Sequence, residues 1–254
     1  MDFNAYQQTL ATELRGRECP FPEAEYQQRL KHLRASMHAD GLGAVLLTDP
    51  SDLFYLTGYS TFEVSVHVAL VVTADTLTLQ VPSIETGPAM VTTRVDHVIG
   101  YRWEGVGDVL DPLAHALIGH GGKVGVDYWH GSLRQGVLEG LKLRLPDTQF
   151  VDASGLLKSI RIVKSAAEID CLRHSARITG QGIEAAAAAI RPGMTDNEIA
   201  AIGAESLLAG GSEFMSMQPI VTVGLRSSVI HTNHKRCRIE DGDTVFLEFG
   251  AAWQ

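Results

Sequence analysis

Several things are scarce in this sequence, and each scarcity removes a class of protein. The three cysteines, Cys19, Cys171 and Cys237, lie far apart without a CxxC pair. A disulfide framework and a cysteine-rich zinc site are thereby excluded, and a reducing cytoplasm is the expected location. No apolar run approaches the roughly 18 residues of a membrane helix, and the opening "MDFNAYQQTLATELRGRECPF" lacks the apolar core of a secretory signal. Basic residues are outnumbered, 21 Lys and Arg against 30 Asp and Glu, for a net charge of −9. The short run "HKRCR" (His234–Arg238) reads as the coat of a strand edge or loop, and no nucleic-acid partner is expected. Catalytic signatures are also missing: there is no GxSxG, no HExxH and no Walker loop. "GVG" (105–107) lacks the third glycine of a dinucleotide fingerprint, and "GHGGKVG" (119–125) leads into a strand, so it reads as a turn. What is present, 45% hydrophobic and 20% charged residues over 254 positions, is a globular composition with room for one large domain or two ordinary ones.

Local patterns order the chain. Tyr26, Leu30, Leu33 and Met37 recur at helical spacing and end at Gly41, "GAVLLTD" (43–49) is a buried strand, and Val66–Pro82 reads as two strands about a turn at Ala74-Asp75. A helix over Val109–Ile118, a strand at Lys123–Asp127, a helix over Leu133–Leu143 and a strand at Phe150–Ser154 follow. Strands alternating with helices indicate an α/β layer domain. Beyond about Ser159 the pattern changes. Ser165 with Glu168, and Thr195 with Glu198, have capping-box spacing and open two successive helices. The first stops at Arg191–Gly193 and the second runs to Gly210-Gly211, and strands follow in an α+β unit.

Two residues near the end invite chemistry. "HTNH" places His231 and His234 three apart within strand or loop sequence, where residues at that spacing point to opposite faces, so a shared metal is disfavoured. A single functional imidazole remains, able to hydrogen-bond a substrate carbonyl or a developing oxyanion, alongside the alternative of a histidine satisfied by backbone. Glu248 stands in the apolar strand "TVFLEFG", sharing a face with Thr244, Phe246 and Gly250. A carboxylate there is either at an exposed edge or part of a site. Gly250 beside it lets a backbone or ligand approach.

Four segments, in order, resemble one family. "MHADGLGAVLLTDPSDLFYLTGY" (37–59) is similar to the opening of the amino-terminal domain of creatinase, prolidase and Xaa-Pro aminopeptidases. "IRIVKSAAEIDCLRHSARIT" (160–179) and "IRPGMTDNEIAA" (190–201) resemble the linker and first turns of their catalytic domain, and "H…RCRIEDGDTVFLEFGA" the stretch from the active-site histidine to the first metal-binding strand. The resemblance implies a creatinase-type amino-terminal α/β domain followed by the first half of an α+β pita-bread catalytic domain. The boundaries expected are a leader at 1–25, the amino-terminal domain at 26–159 and the catalytic domain at 160–254.

The resemblance also implies a site. His231 falls on the histidine that steadies substrate or tetrahedral intermediate, and Glu248 on the first metal-ligand aspartate. Arg226, Phe62 and Tyr59 are read either as the retained wall of the substrate site or as structural residues. The peptidases hold two divalent ions (Mn, Co, Zn or Fe) with two aspartates, a histidine and two glutamates, and the ions acidify a bridging water. Glutamate at 248 carries its carboxylate outward by about 1.5 Å, beyond the tolerance of metal–oxygen distances. It therefore points to a creatinase-like hydrolase of a C–N bond, with metal-dependent Xaa-Pro aminopeptidase, lyase and non-catalytic binding module as alternatives. The remaining family ligands would lie beyond Gln254. Two metals are thus expected in a full-length parent and none in this chain, and the chain made alone is expected to lack hydrolytic activity and to aggregate or need a partner. A small molecule or short peptide is the implied substrate and a homodimer the implied assembly.

Overall fold

The computed structural model describes residues 3–14, 16–102, 105–120 and 122–254. Met1, Asp2 and Arg15 of the expected leader and Gly121 of the glycine-rich turn lie outside the described residues. The chain forms two compact units, 1–163 and 164–254.

The first unit contains α1 (Phe3–Glu13), α2 (Glu23–Ala39), β1 (Ala44–Leu47), α3 (Pro50–Thr57), β2 (Ala69–Thr73), β3 (Leu77–Pro82), α4 (Thr86–Thr92), β4 (His97–Tyr101), α5 (Val106–Leu117), β5 (Lys123–Val126), α6 (Gln135–Arg144), β6 (Gln149–Asp152) and α7 (Leu156–Arg161). Its six strands lie in the order β4-β3-β2-β1-β5-β6. β1 and β2, and β2 and β3, pair antiparallel, while β3–β4, β1–β5 and β5–β6 are parallel. Successive side chains of a strand point to opposite faces, and β1 shows the result. Val45 and Leu47 pack with Leu30, Leu33 and Met37 of α2, whereas Ala44 and Leu46 pack with Leu110 and Leu113 of α5 and Leu141 of α6. A strand buried on both faces reads as an unbroken apolar run, which is why "AVLL" shows no alternation.

Residues 1–25, expected as a leader, fall within this unit. Phe21 is buried, and the Arg29 guanidinium lies 4.3 Å from its ring centroid and 4.3 Å from that of Tyr55. Arg29, on the same helix as the apolar stripe, is itself only 3% exposed and donates to the Tyr55 carbonyl at 2.7 Å. The second unit opens at Lys164, and Leu156 and Leu157 of α7 before it bury in the core formed with α2.

One buried group gives this unit a pH dependence. His67 is 4% exposed and neither ring nitrogen has a hydrogen-bond partner. Burial, aided by the charge of Arg134, holds its pKa down to about 4, with Gln80 acting weakly the other way. The unfolded chain therefore binds a proton that the folded chain refuses between pH 6.5 and about 4. Stability is full above pH 6.5, falls through that window by on the order of 3 kcal/mol, and levels below it. His67→Leu is expected to flatten the urea-unfolding free energy between pH 7 and 5. An unchanged slope would remove His67 as its source.

The second unit contains α8 (Ala166–Ala189), α9 (Asp196–Ala209), β7 (Ile220–Val223), a 3-10 turn (Gly224–Ser228) and β8 (Val245–Glu248). Both expected capping boxes are formed: Ser165 Oγ accepts from Glu168 N and Thr195 Oγ1 from Glu198 N, and each glutamate accepts from its cap residue's amide. α8 and α9 pack with Ile178, Ala186, Ile199 and Leu207 in a core that takes in Val221, Val223 and Phe249. Gly182 on α8 permits the close contact, since a Cβ there would lie 2.6 Å from Leu207 Cδ2.

Candidate functional site

β7 and β8 form a two-stranded antiparallel pair in which Ile220 faces Glu248, Val221 faces Leu247, Thr222 faces Phe246 and Val223 faces Val245. Directly opposed residues share a face. Val221, Val223, Val245 and Leu247 turn to the helices and join the core. Ile220, Thr222, Phe246 and Glu248 occupy the other face, so the side-chain alternation expected for "TVFLEFG" is the one formed. Glu248 is half-buried, neither free in solvent nor sealed in the core. Next to it, Gly250 leaves the space that the Ser216 side chain enters, and Ser216 N donates to the Gly250 carbonyl at 2.9 Å. The close approach at this glycine is thus made by the chain itself.

His231 lies in the irregular segment that follows the 3-10 turn, at the Val223 end of the strand pair. Glu248 is three residues further along β8 from Val245, about 10 Å at the rise of a strand. Among the described residues no hydrogen bond or ion pair joins the two side chains, and none is made by the His231 ring. The backbone of His231 is left-handed, φ 59°, and so is that of Arg236, φ 60°. Non-glycine residues are uncommon there. His234 is not turned to a common centre with His231 in any metal-binding group: among the described residues no three His, Cys, Asp or Glu side chains stand close enough to hold an ion.

The other expected residues are placed as follows. Arg226, in the 3-10 turn, donates through Nη2 to Thr232 Oγ1 at 2.9 Å and to the Asn233 carbonyl at 3.1 Å. Phe62 belongs to the first unit and is 91% exposed. Tyr59 is buried in that unit, in keeping with the structural alternative. Its hydroxyl donates to Glu85 Oε2 at 3.2 Å, and burial raises its pKa, so its role there is packing.

Residues that the sequence did not single out surround the histidine segment. Asp196, 1% exposed at the start of α9, accepts from Lys235 N at 2.8 Å, Cys237 N at 3.1 Å and Asn197 N at 2.9 Å. Asn197 Oδ1 accepts from Arg236 N at 3.1 Å. The basic run thus lies on α9 through its backbone, leaving Lys235, Arg236 and Arg238 exposed. Among the described residues of the second unit, two buried polar side-chain atoms have no partner, Thr222 Oγ1 on the Glu248 face and His234 Nε2. Such orphans are rare in folded proteins. Nothing local in the sequence distinguishes them.

Glu248 belongs to no metal-binding group among the described residues, where no three His, Cys, Asp or Glu side chains come together, so the residues present do not by themselves fit a metal centre. No helix among the described residues is long and apolar enough to cross a membrane.

Comparison with known proteins agrees with this architecture. Residues 29–163 match the family model of the creatinase/prolidase N-terminal domain, and residues 170–254 that of metallopeptidase family M24. The uncharacterized hydrolase/peptidase y4tL of Sinorhizobium fredii is 30% identical over 243 residues, covering 90% of this chain and 62% of that protein. A creatinase from a Bacillus species is 28% identical over 197 residues, covering 74% of this chain and 46% of that protein. The crystal structure of the prolidase from Pyrococcus horikoshii superposes with a TM-score of 0.74 at 25% identity, over 88% of this chain and 60% of that one. The chain spans less than two thirds of the length of each. With both models matched in that order, the chain belongs to the creatinase/prolidase family, with that family's amino-terminal domain in its first unit and M24 metallopeptidase sequence in its second.

Proposed function

We propose that the protein carrying this chain hydrolyses a C–N bond, amide or amidine-type, in a small molecule or short peptide. The observation behind this reading is the pair of family matches, with His231 and Glu248 in the M24-matched unit on the loop and the half-buried strand face described above. His231 donates to the substrate carbonyl and to the oxyanion that forms when water adds to it, where a positioned donor is worth most. Glu248 pairs with a cationic substrate group or moves the proton to the leaving nitrogen. A homodimer is assigned to the assembly and the cytoplasm to the location. The absence of a disulfide among the described cysteines supports that location.

A second reading, a metal-dependent Xaa-Pro peptidase, is favoured by the M24 match and by the superposition on a prolidase. The two readings part on metal. The intact protein, as its gene encodes it, is incubated with creatine and with a set of Xaa-Pro dipeptides, before and after EDTA dialysis with metal content measured. Hydrolysis of creatine, a guanidino compound, that survives chelation is the expected result. Dipeptide cleavage lost on chelation and restored by Mn, Co, Zn or Fe establishes the second reading, and no hydrolysis in any arm removes both.

A further inference from the structure

The His231 segment is held at both ends by side chains outside it. On one side, Ser227 Oγ donates to the Thr222 carbonyl at 3.0 Å and the Thr244 carbonyl at 2.7 Å, seating the 3-10 turn on both strands. From that turn Arg226 reaches across His231 to Thr232 and Asn233, closing a loop of a few residues. On the other side, the buried Asp196 carboxylate takes the amides of Lys235 and Cys237, and Asn197 takes that of Arg236. Between these two anchors lies His231 in its left-handed conformation, and Arg236 in the same conformation lies within the second anchor. A non-glycine residue stays there only when its surroundings over-determine it. Glycine would relieve the backbone at 231 but would remove the imidazole.

We propose that Arg226 and Asp196 are positioning residues that hold the left-handed backbone of His231, so that its unbonded ring is presented in one orientation. Arg226 acts through the loop: its Nη2 donates to Thr232 Oγ1 and to the Asn233 carbonyl on the far side of His231. Asp196 is sealed from any substrate by its own burial. The inference rests on the reading of His231 as a site residue. It adds that the catalytic value of the ring depends on a clamp whose two arms come from α9 and from the turn after β7.

The test uses the intact protein and Arg226→Ala, Arg226→Lys, Thr232→Val and His231→Ala, with kcat and KM measured on whichever substrate is turned over and amide hydrogen exchange followed across 229–237. Arg226→Ala is expected to lower kcat about a hundredfold, the scale on which a misplacement of about 1 Å acts, with KM little changed and exchange in that segment accelerated. Arg226→Lys, which can reach one acceptor, recovers part of both. In the His231→Ala background Arg226→Ala costs nothing further, as expected of a group that acts only through the ring. A raised KM with kcat kept, an equal loss in the His231→Ala background, or unchanged exchange overturns the proposal. If Arg226→Ala does not fold, Thr232→Val, which removes one acceptor and leaves the charge, is read by the same criteria. Failure of the site reading is separate: it shows as full turnover in His231→Ala, whereas exchange reports on the clamp without reference to turnover.

Discussion

Replacing His231 by alanine in the intact protein is expected to lower kcat by about 10² to 10³, the cost of removing one preorganised oxyanion donor. KM should change far less, because the donor's gain comes when charge develops on the substrate oxygen and not when the substrate is first bound. Stability should hardly move. The ring makes no hydrogen bond among the described residues, and the segment's anchors are on Arg226 and Asp196, which the substitution leaves in place. Surface changes of that kind lie within about 0.5 kcal/mol. His231→Asn, which keeps a donor at shorter reach, should fall between wild type and alanine. Turnover within threefold of wild type in His231→Ala, with the protein folded by circular dichroism, would remove the histidine from the mechanism and with it the reading of the loop as a catalytic element.

Leu207→Ala should produce the largest loss of stability in the second unit. Leu207 is fully buried between α8 and α9 in the core that also holds Ile178 and Ile199. Truncating a core leucine removes its transfer free energy and leaves a cavity, together about 2–5 kcal/mol. Against a total of about 5–15 kcal/mol for a domain, that is a severe change. The local geometry supplies a stricter check. A methyl group at Gly182 would overlap the Leu207 side chain, at 2.6 Å from Cδ2. Gly182→Ala should therefore destabilise alone by overpacking, yet restore part of the loss when combined with Leu207→Ala, because the added methyl enters the cavity. Urea unfolding of the two single variants and the double variant measures the non-additivity. Strict additivity would mean that the helices shift apart freely at this contact, and the packing described for α8 and α9 would not govern their separation.

Much of the architecture could be read because its causes are local. The capping boxes at Ser165 and Thr195 are four-residue patterns whose partners lie within one turn, so spacing alone announces them. Binary patterning gave the α2 stripe, and the apolar runs gave β1, β2, β3 and β5, with element ends shifted by a few residues as fraying and capping dictate. The elements that went unassigned are short or weakly patterned. α3 follows Asp49, whose side chain caps it by accepting from Ser51 N, but it is only eight residues long and begins on a proline that also reads as the end of a strand. β4, "HVIGY", is an edge strand only partly covered, so it lacks the apolar continuity of its neighbours.

At the site the division is similar. Strand alternation by itself determined that Glu248 shares a face with Phe246, and the antiparallel register with β7 is in keeping with that. The sequence by itself also determined the order of the two units and the residue types available for chemistry, since periodicity, caps and composition act over a few neighbouring positions. The tertiary structure alone decided that Asp196 would hold amides 39 and 41 residues away, that Arg29 would be buried among aromatic rings, and that His231 would be fixed in a left-handed turn. A hydrogen bond across such separations depends on how a helix start, a turn and an irregular segment meet in space. No local propensity encodes that meeting, because the free energy that favours it comes from burying the whole unit at once.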